Sequence, residues 1–182
     1  MKELVNKLSK AFDVKDVKYQ RSDLVFVTVR KVNLISVITH LRDMEGFSHF
    51  VMLTCTDWLE DGVFQLTYIL NHPGNKHDIA VRCMIDRKNA EMTSAHHLWK
   101  QVATYQRELK EMFGIDFPGS PRVDENFILE GWVDIPPMRR DFNTIEYAEN
   151  TFDHMPRPET NDPAEHMKAK LHPREWEKYK ED

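Results

Sequence analysis

Three apolar-polar alternations between residues 51 and 85 constrain the chain more than any other feature. Val51, Leu53 and Cys55, then Phe64, Leu66, Tyr68 and Leu70, then Ile79, Val81, Cys83 and Ile85 each repeat with a period of two. Successive strand side chains point to opposite faces, so each run has one apolar face to bury. Between the runs stand Glu60-Asp61-Gly62 and Pro73-Gly74-Asn75, residues that preset or tolerate tight-turn backbone angles. A three-stranded antiparallel meander follows. Cys55 and Cys83 fall in the inward registers. Two thiolates are too few for the usual iron–sulfur cluster, and on inward faces they read as reduced, inert thiols.

Around the meander the period changes. Leu4, Leu8, Ala11 and Phe12 recur at helical spacing, residues 14 to 19 read as a strand, and Arg21-Ser22-Asp23 reads as a turn. Val25, Val27 and Val29 alternate with Phe26 and Thr28 in a second strand, apolar on both faces. Leu34, Val37, Ile38 and Leu41 mark a helix with Asn33 as its N-cap and Gly46 as its stop. A long final helix is expected from about Ser94, carrying Ala95, Leu98, Val102, Tyr105, Leu109 and Met112 and ended by Gly114. The predicted fold is α+β, a two-layer α/β sandwich with a mixed, largely antiparallel sheet, helices on one face and an extended C-terminal tail.

Charge divides the chain. Of a net charge of -5, the stretch 143–182 carries -4, from ten acidic and six basic residues, and it also holds Pro156, Pro158, Pro163 and Pro173. A boundary near Phe142 separates an α+β domain, 1–142, from an acidic tail, 143–182. Asp162-Pro163-Ala164-Glu165 and His172-Pro173-Arg174-Glu175 are helix-start patterns within that tail. Tyr147, Phe152, Met155, Trp176 and Tyr179 would be poorly covered on it alone. The tail is therefore either disordered or laid along another subunit; ordering about forty residues costs ~40–80 kcal/mol of backbone entropy, which only an extensive interface offsets, and a tail that clamps a partner subunit is the favoured expectation. An acidic balance speaks against a general nucleic-acid binder. No apolar run approaches the ~20 residues of a membrane span, and the N-terminus lacks the apolar core of a signal peptide.

Two segments concentrate unusual chemistry. Arg107, Glu108 and Glu111 precede Met112-Phe113-Gly114-Ile115-Asp116-Phe117 at the expected helix end. The charges alone would suit a solvated helix face. The apolar groups outnumber what one side of a small domain buries, so Phe113 and Phe117 are expected to serve an interface. Arg139, Arg140, Asp141 and Phe142 follow the stiff Pro136-Pro137 pair, and Trp132 lies just upstream. Arginine forks suit bidentate carboxylate or carbonyl recognition. A small stand-alone enzyme would have to draw on Asp57, His72 or His77. His72 and His77 flank a turn without an evident third metal ligand, and the neighbours His96 and His97 diverge on a helix, unlike an i, i+4 metal pair. No catalytic constellation emerges.

These segments carry a resemblance. Gln106-Arg107-Glu108, Glu111-Met112-Phe113-Gly114, Phe127-Ile128-Leu129-Glu130-Gly131-Trp132 and Pro137-Met138-Arg139-Arg140-Asp141-Phe142 resemble the central motifs of the 30 kDa subunit family of respiratory complex I and of its membrane-bound hydrogenase relatives. Gln106 stands where the family has Glu, and Gly119-Ser120-Pro121 where it has Gly-His-Pro. The resemblance implies a non-catalytic structural subunit of a peripheral arm, without a cofactor of its own, on the cytoplasmic side of a membrane. It implies docking on a large [NiFe]-hydrogenase-like subunit, with neighbouring subunits holding iron–sulfur clusters and, in the hydrogenase branch, a [NiFe] centre. Arg107, Glu108, Glu111, Phe113, Phe117, Trp132, Arg139, Arg140, Asp141 and Phe142 are the expected interface residues. Ser120 and the short loop to Trp132 favour an energy-converting hydrogenase or related archaeal complex. A NADH- or ferredoxin-quinone oxidoreductase proper, a soluble adaptor and a stand-alone enzyme remain the alternatives.

Overall fold

In a computed structural model, which describes residues 1–152, the chain divides into Met1–Phe142 and a second unit that begins at Asn143. The first unit holds α1 (Lys2–Ala11), β1 (Val14–Tyr19), β2 (Leu24–Val29), α2 (Leu34–Asp43), β3 (His49–Trp58), β4 (Val63–His72), β5 (His77–Asp86) and α3 (Val102–Phe113). The strands form one sheet in the order β1-β2-β5-β4-β3. Within this sheet only β2 and β5 are parallel, and β3, β4 and β5 make the expected meander. The sheet is mixed because α2 carries the chain across to the far edge, from which the meander returns β5 to the side of β2.

One row of facing side chains shows how the layers join. Val17, Val27, Val81, Tyr68 and Leu53 are cross-strand partners through all five strands. They point to the face where Leu8 of α1, Ile38 of α2 and Leu109 of α3 close a single buried cluster. Burying a large aliphatic side chain contributes about 1.5–3 kcal/mol, so this shared face sets the register of every strand.

The long final helix is shorter than its periodicity predicts. Ala95 is buried as expected and Leu98 is partly buried, yet residues 94–101 run as irregular chain with turns at 96–98 and 100–101, with the Leu98 N–H on the Ala95 carbonyl and the Val102 N–H on that of Trp99. His96 and His97 therefore lie in turns and not on a helix. Side chains explain the interruption. Ser94 is engaged with Gln106 and His96, while Trp99 Nε1 and Gln101 Nε2 donate to the Ser48 and Phe50 carbonyls on the β3 edge. Covering a free strand edge in this way blocks unwanted pairing. Asn33 occupies the N-cap position of α2 but makes no side-chain cap, because a 3-10 turn at Lys31–Asn33 already leads into the helix.

The second unit contributes α4 (Thr144–Thr151), which the tail reading did not anticipate. Asn143 Oδ1 accepts from the Ile145 and Glu146 N–H groups, and Asn143 Nδ2 donates to Glu146. This is a reciprocal cap. The expected short helices after Asp162 and His172 lie outside the described residues.

Candidate interface at the end of α3

Gly114 ends α3 in the left-handed region, at φ +77°. A helix end leaves its last carbonyls unpaired. Here the Met138 N–H reaches back to the Met112 carbonyl at 3.0 Å, and Pro136 lies against Gly114, its Cγ only 3.2 Å from where a Cβ would stand. The two motif segments are thus in contact.

Glu111 fixes the loop between them. Its carboxylate accepts from the Phe127, Ile128 and Leu129 N–H groups at 2.6, 2.8 and 3.0 Å. Burial alone would raise its pKa, but these three donors and the nearby Arg107 hold it below the ordinary glutamate value. Arg107 sits 5.1 Å over the Phe127 ring, with Nε buried and unpaired. Glu108 lines a shallow groove on α3 with Gln101, Thr104 and Tyr105. Lys110 anchors the loop's first part through Asp116 and Asp124.

The loop's far end is tied down by a charge network that sequence reading missed. Arg87, directly after β5, donates from Nε and Nη2 to the two oxygens of Asp57 at 2.8 and 3.1 Å, and from Nη2 to Asp141 at 2.6 Å. The Arg140 N–H donates to Asp57 Oδ2 at 2.9 Å. The Asp57 side chain is 2% exposed and that of Arg87 10%. Hydrogen bonds from Arg87 first, then from Arg139, hold the Asp141 carboxyl at about 2 despite partial burial. Burial would raise Asp57, yet Arg87 and the Arg140 N–H keep it below the ordinary aspartate value. The available signal was the pair of Asp57 and Arg87 at matching ends of β3 and β5, the two strands that flank β4.

The ten expected interface residues separate accordingly. Phe113 and Phe117 are buried in this chain's own core, a correction to the interface expectation: one domain does bury that many apolar groups, because loop 115–142 folds back over the helix end. Arg139 pairs with Asp141 and lies 5.8 Å over Phe64, and Arg140 pairs with Glu60 at 2.5 Å. Trp132 and Phe142 meet edge to face, 5.5 Å apart, and Trp132 Nε1 donates to the Ile135 carbonyl. Among charged exposed neighbours such as Glu130 and Asp134, the loop also leaves large apolar groups outside: Ile128, Val133, Ile135 and Met138 are 64, 97, 40 and 57% exposed.

Other candidate chemistry is occupied. Burial pushes both thiols, Cys55 and Cys83, up to about 12. His72 Nδ1 accepts from the Gly74 and Asn75 N–H groups in its hairpin turn. Asp57 faces Phe64 and His77 faces His72 along β4, eight residues or ~26 Å apart at strand rise. Among the described residues no group of three His, Cys, Asp or Glu converges, and no helix is long and apolar enough to cross a membrane.

Residues 27–148 match the family described as respiratory-chain NADH dehydrogenase, 30 Kd subunit. The chain belongs to this family. It is therefore a subunit of a complex I-superfamily oxidoreductase. It is 33% identical over 119 residues to the NADH-quinone oxidoreductase C subunit of Citrifermentans bemidjiense, covering 65% of this chain and 73% of the relative. With the corresponding protein of Moorella thermoacetica it shares 28% over 143 residues, 78% of this chain and 95% of the relative. A solved structure described as the membrane-bound sulfane sulfur reductase, an archaeal respiratory membrane complex, has the same fold, with TM-score 0.71 at 20% identity over 88% of this chain and 96% of that one. Within this chain, Gln106 is fully buried and accepts from Ser94 Oγ at 2.7 Å. Ser120 is likewise buried.

Proposed function

We propose that this 30 kDa-type chain is a non-catalytic scaffold of the peripheral arm of a membrane-bound oxidoreductase, docking on the large [NiFe]-hydrogenase-like subunit from the cytoplasmic side. The observation that carries this reading is the set of exposed apolar side chains Ile128, Val133, Ile135 and Met138, all on one loop clamped at both ends, by Glu111 and by Arg87. Apolar groups held rigid in solvent are the mark of an interface, and pre-ordering lowers the entropic cost of binding. Arg107, Glu111, Trp132, Arg139, Arg140, Asp141 and Phe142 belong to the loop or hold it in place, Glu108 adds a charge on the neighbouring groove of α3, and the acidic tail clamps the partner. Iron–sulfur clusters, and in the hydrogenase branch a [NiFe] centre, belong to the neighbouring subunits.

Ser120, where the family motif carries His, and the short loop from Gly119 to Trp132 favour the energy-converting hydrogenase branch or a related archaeal complex. The quinone-reducing branch is the second reading, favoured by the NADH-quinone oxidoreductase relatives in two bacteria. Metal analysis and visible spectra of the purified chain test the scaffold reading: no stoichiometric iron or nickel and no redox absorbance are expected. A bound cluster or turnover by the isolated chain would overturn it. Nickel in the co-purified complex would select the hydrogenase branch.

A further inference from the structure

Charge in the loop that carries the exposed apolar groups is matched unevenly. Residues 115–142 hold six acids and three arginines, whereas residues 1–114 carry a net charge of +2. All three arginines of the loop have a carboxylate of this chain: Arg122 has Glu125, Arg139 has Asp141 and Arg140 has Glu60. Four of the acids are matched as well, Asp116 and Asp124 by Lys110, Glu125 by Arg122 and Asp141 by Arg87. The other two, Glu130 and Asp134, are exposed and form no ion pair among the described residues. Asp134 Oδ1 accepts only from the adjacent Ile135 N–H. Cations near the loop act on other acids, Arg107 on Glu111 and Glu125, and Lys88 on Asp86. In the chain, Glu130 and Asp134 alternate with the exposed Ile128, Val133 and Ile135.

We infer that the subunit surface received by this loop is apolar and edged by lysine or arginine side chains that meet Glu130 and Asp134. In water each of these carboxylates is solvated and needs no partner. A surface that covers Ile128, Val133 and Ile135 also strips water from the acids set between them, and that costs free energy unless a cation takes the place of the water. Opposite charge on the neighbour supplies this and steers the encounter. The stretch 143–182, with ten acids and six basic residues, has the same sign, so one basic neighbour suits both segments. Nucleic-acid phosphates and anionic lipid headgroups carry the wrong sign for this loop. The inference rests on the reading that the loop docks a neighbouring subunit, and it adds the chemistry of that neighbour.

The test uses the full chain, captured with its complex from solubilised membranes. Glu130→Lys combined with Asp134→Lys should lower recovery of the neighbouring subunit about tenfold at low salt. Glu130→Gln combined with Asp134→Asn should lower it less, and raising the ionic strength to about 0.5 M should narrow both differences as screening sets in. Both variants should leave the isolated chain's Tm within about 3 °C, because neither carboxylate pairs within the chain. A photo-crosslinking amino acid at Val133 locates the neighbour's lysine or arginine, and exchanging that residue for Glu should restore recovery with the reversed chain. Ile135→Ser combined with Met138→Ser leaves the charge unchanged and separates the two readings. If it lowers recovery while charge reversal does not, the basic neighbour is wrong and the docking loop stands. If it leaves recovery unchanged, both fall. A crosslink to a surface without lysine or arginine, or to phosphatidylserine vesicles, would also overturn the inference.

Discussion

Arg140 donates its backbone N–H to Asp57 across 83 residues of sequence, at 2.9 Å. The same carboxylate receives the Arg87 guanidinium, so one buried charge joins a strand end, the segment after β5 and loop 115–142. A basic motif that reads as pure surface is in this way half structural.

Removing one member of this group should be costly. Asp57→Ala or Arg87→Ala leaves a desolvated charge uncompensated, and about 3–5 kcal/mol of stability should be lost, a large part of a domain's usual 5–15. Urea unfolding of both single variants and the double variant checks it. The double variant should cost clearly less than the sum of the two, by ~1–3 kcal/mol.

Glu111 should matter for loop order more than for the core. Glu111→Gln keeps the shape but weakens three charge-assisted bonds, each roughly twice a neutral one. Hydrogen exchange should accelerate at the Phe127, Ile128 and Leu129 amides, with global stability reduced by ~1–2 kcal/mol. Uniform acceleration across the sheet would contradict the clamp.

Gly114 carries both a left-handed backbone and the approach of Pro136. Gly114→Ala should cost ~1–2 kcal/mol through the φ of +77° and the displaced proline together. Thermal unfolding measures this, and the loss should persist in Glu111→Gln.

The charge network fixes an acid dependence. Asp57, Glu111 and Asp141 hold their carboxyls below the ordinary values, Asp141 at about 2. The folded chain binds these protons less readily than the unfolded one. Their contribution is therefore complete above the unfolded values of about 4 and is lost as pH falls toward 2. The stability difference between the wild type and Asp141→Asn should shrink over that window. A difference independent of pH would show that the ion pairs contribute nothing.

Much of this fold was legible because burial imposes a period. Val27, Val81, Tyr68 and Leu53 alternate for the reason they pack, and Gly114 ends its helix for want of a Cβ. What escaped is non-local or set by side-chain competition. Ala95 and Leu98 keep a helical period while Trp99 and Gln101 turn to the β3 edge. Phe113 and Phe117 look excessive until loop 115–142 covers them. Arg87 carries no local motif, and its role emerges only when β3, β5 and Asp141 meet.

The central claim is that the loop bearing Ile128, Val133, Ile135 and Met138 docks the large subunit. Quantitative capture of the complex from solubilised membranes, with wild-type chain and with Ile135→Glu combined with Met138→Glu, tests it most directly. The wild type should recover the large subunit in equal amount, and the variant, with its Tm preserved, at least tenfold less. Equal recovery by both would contradict the account.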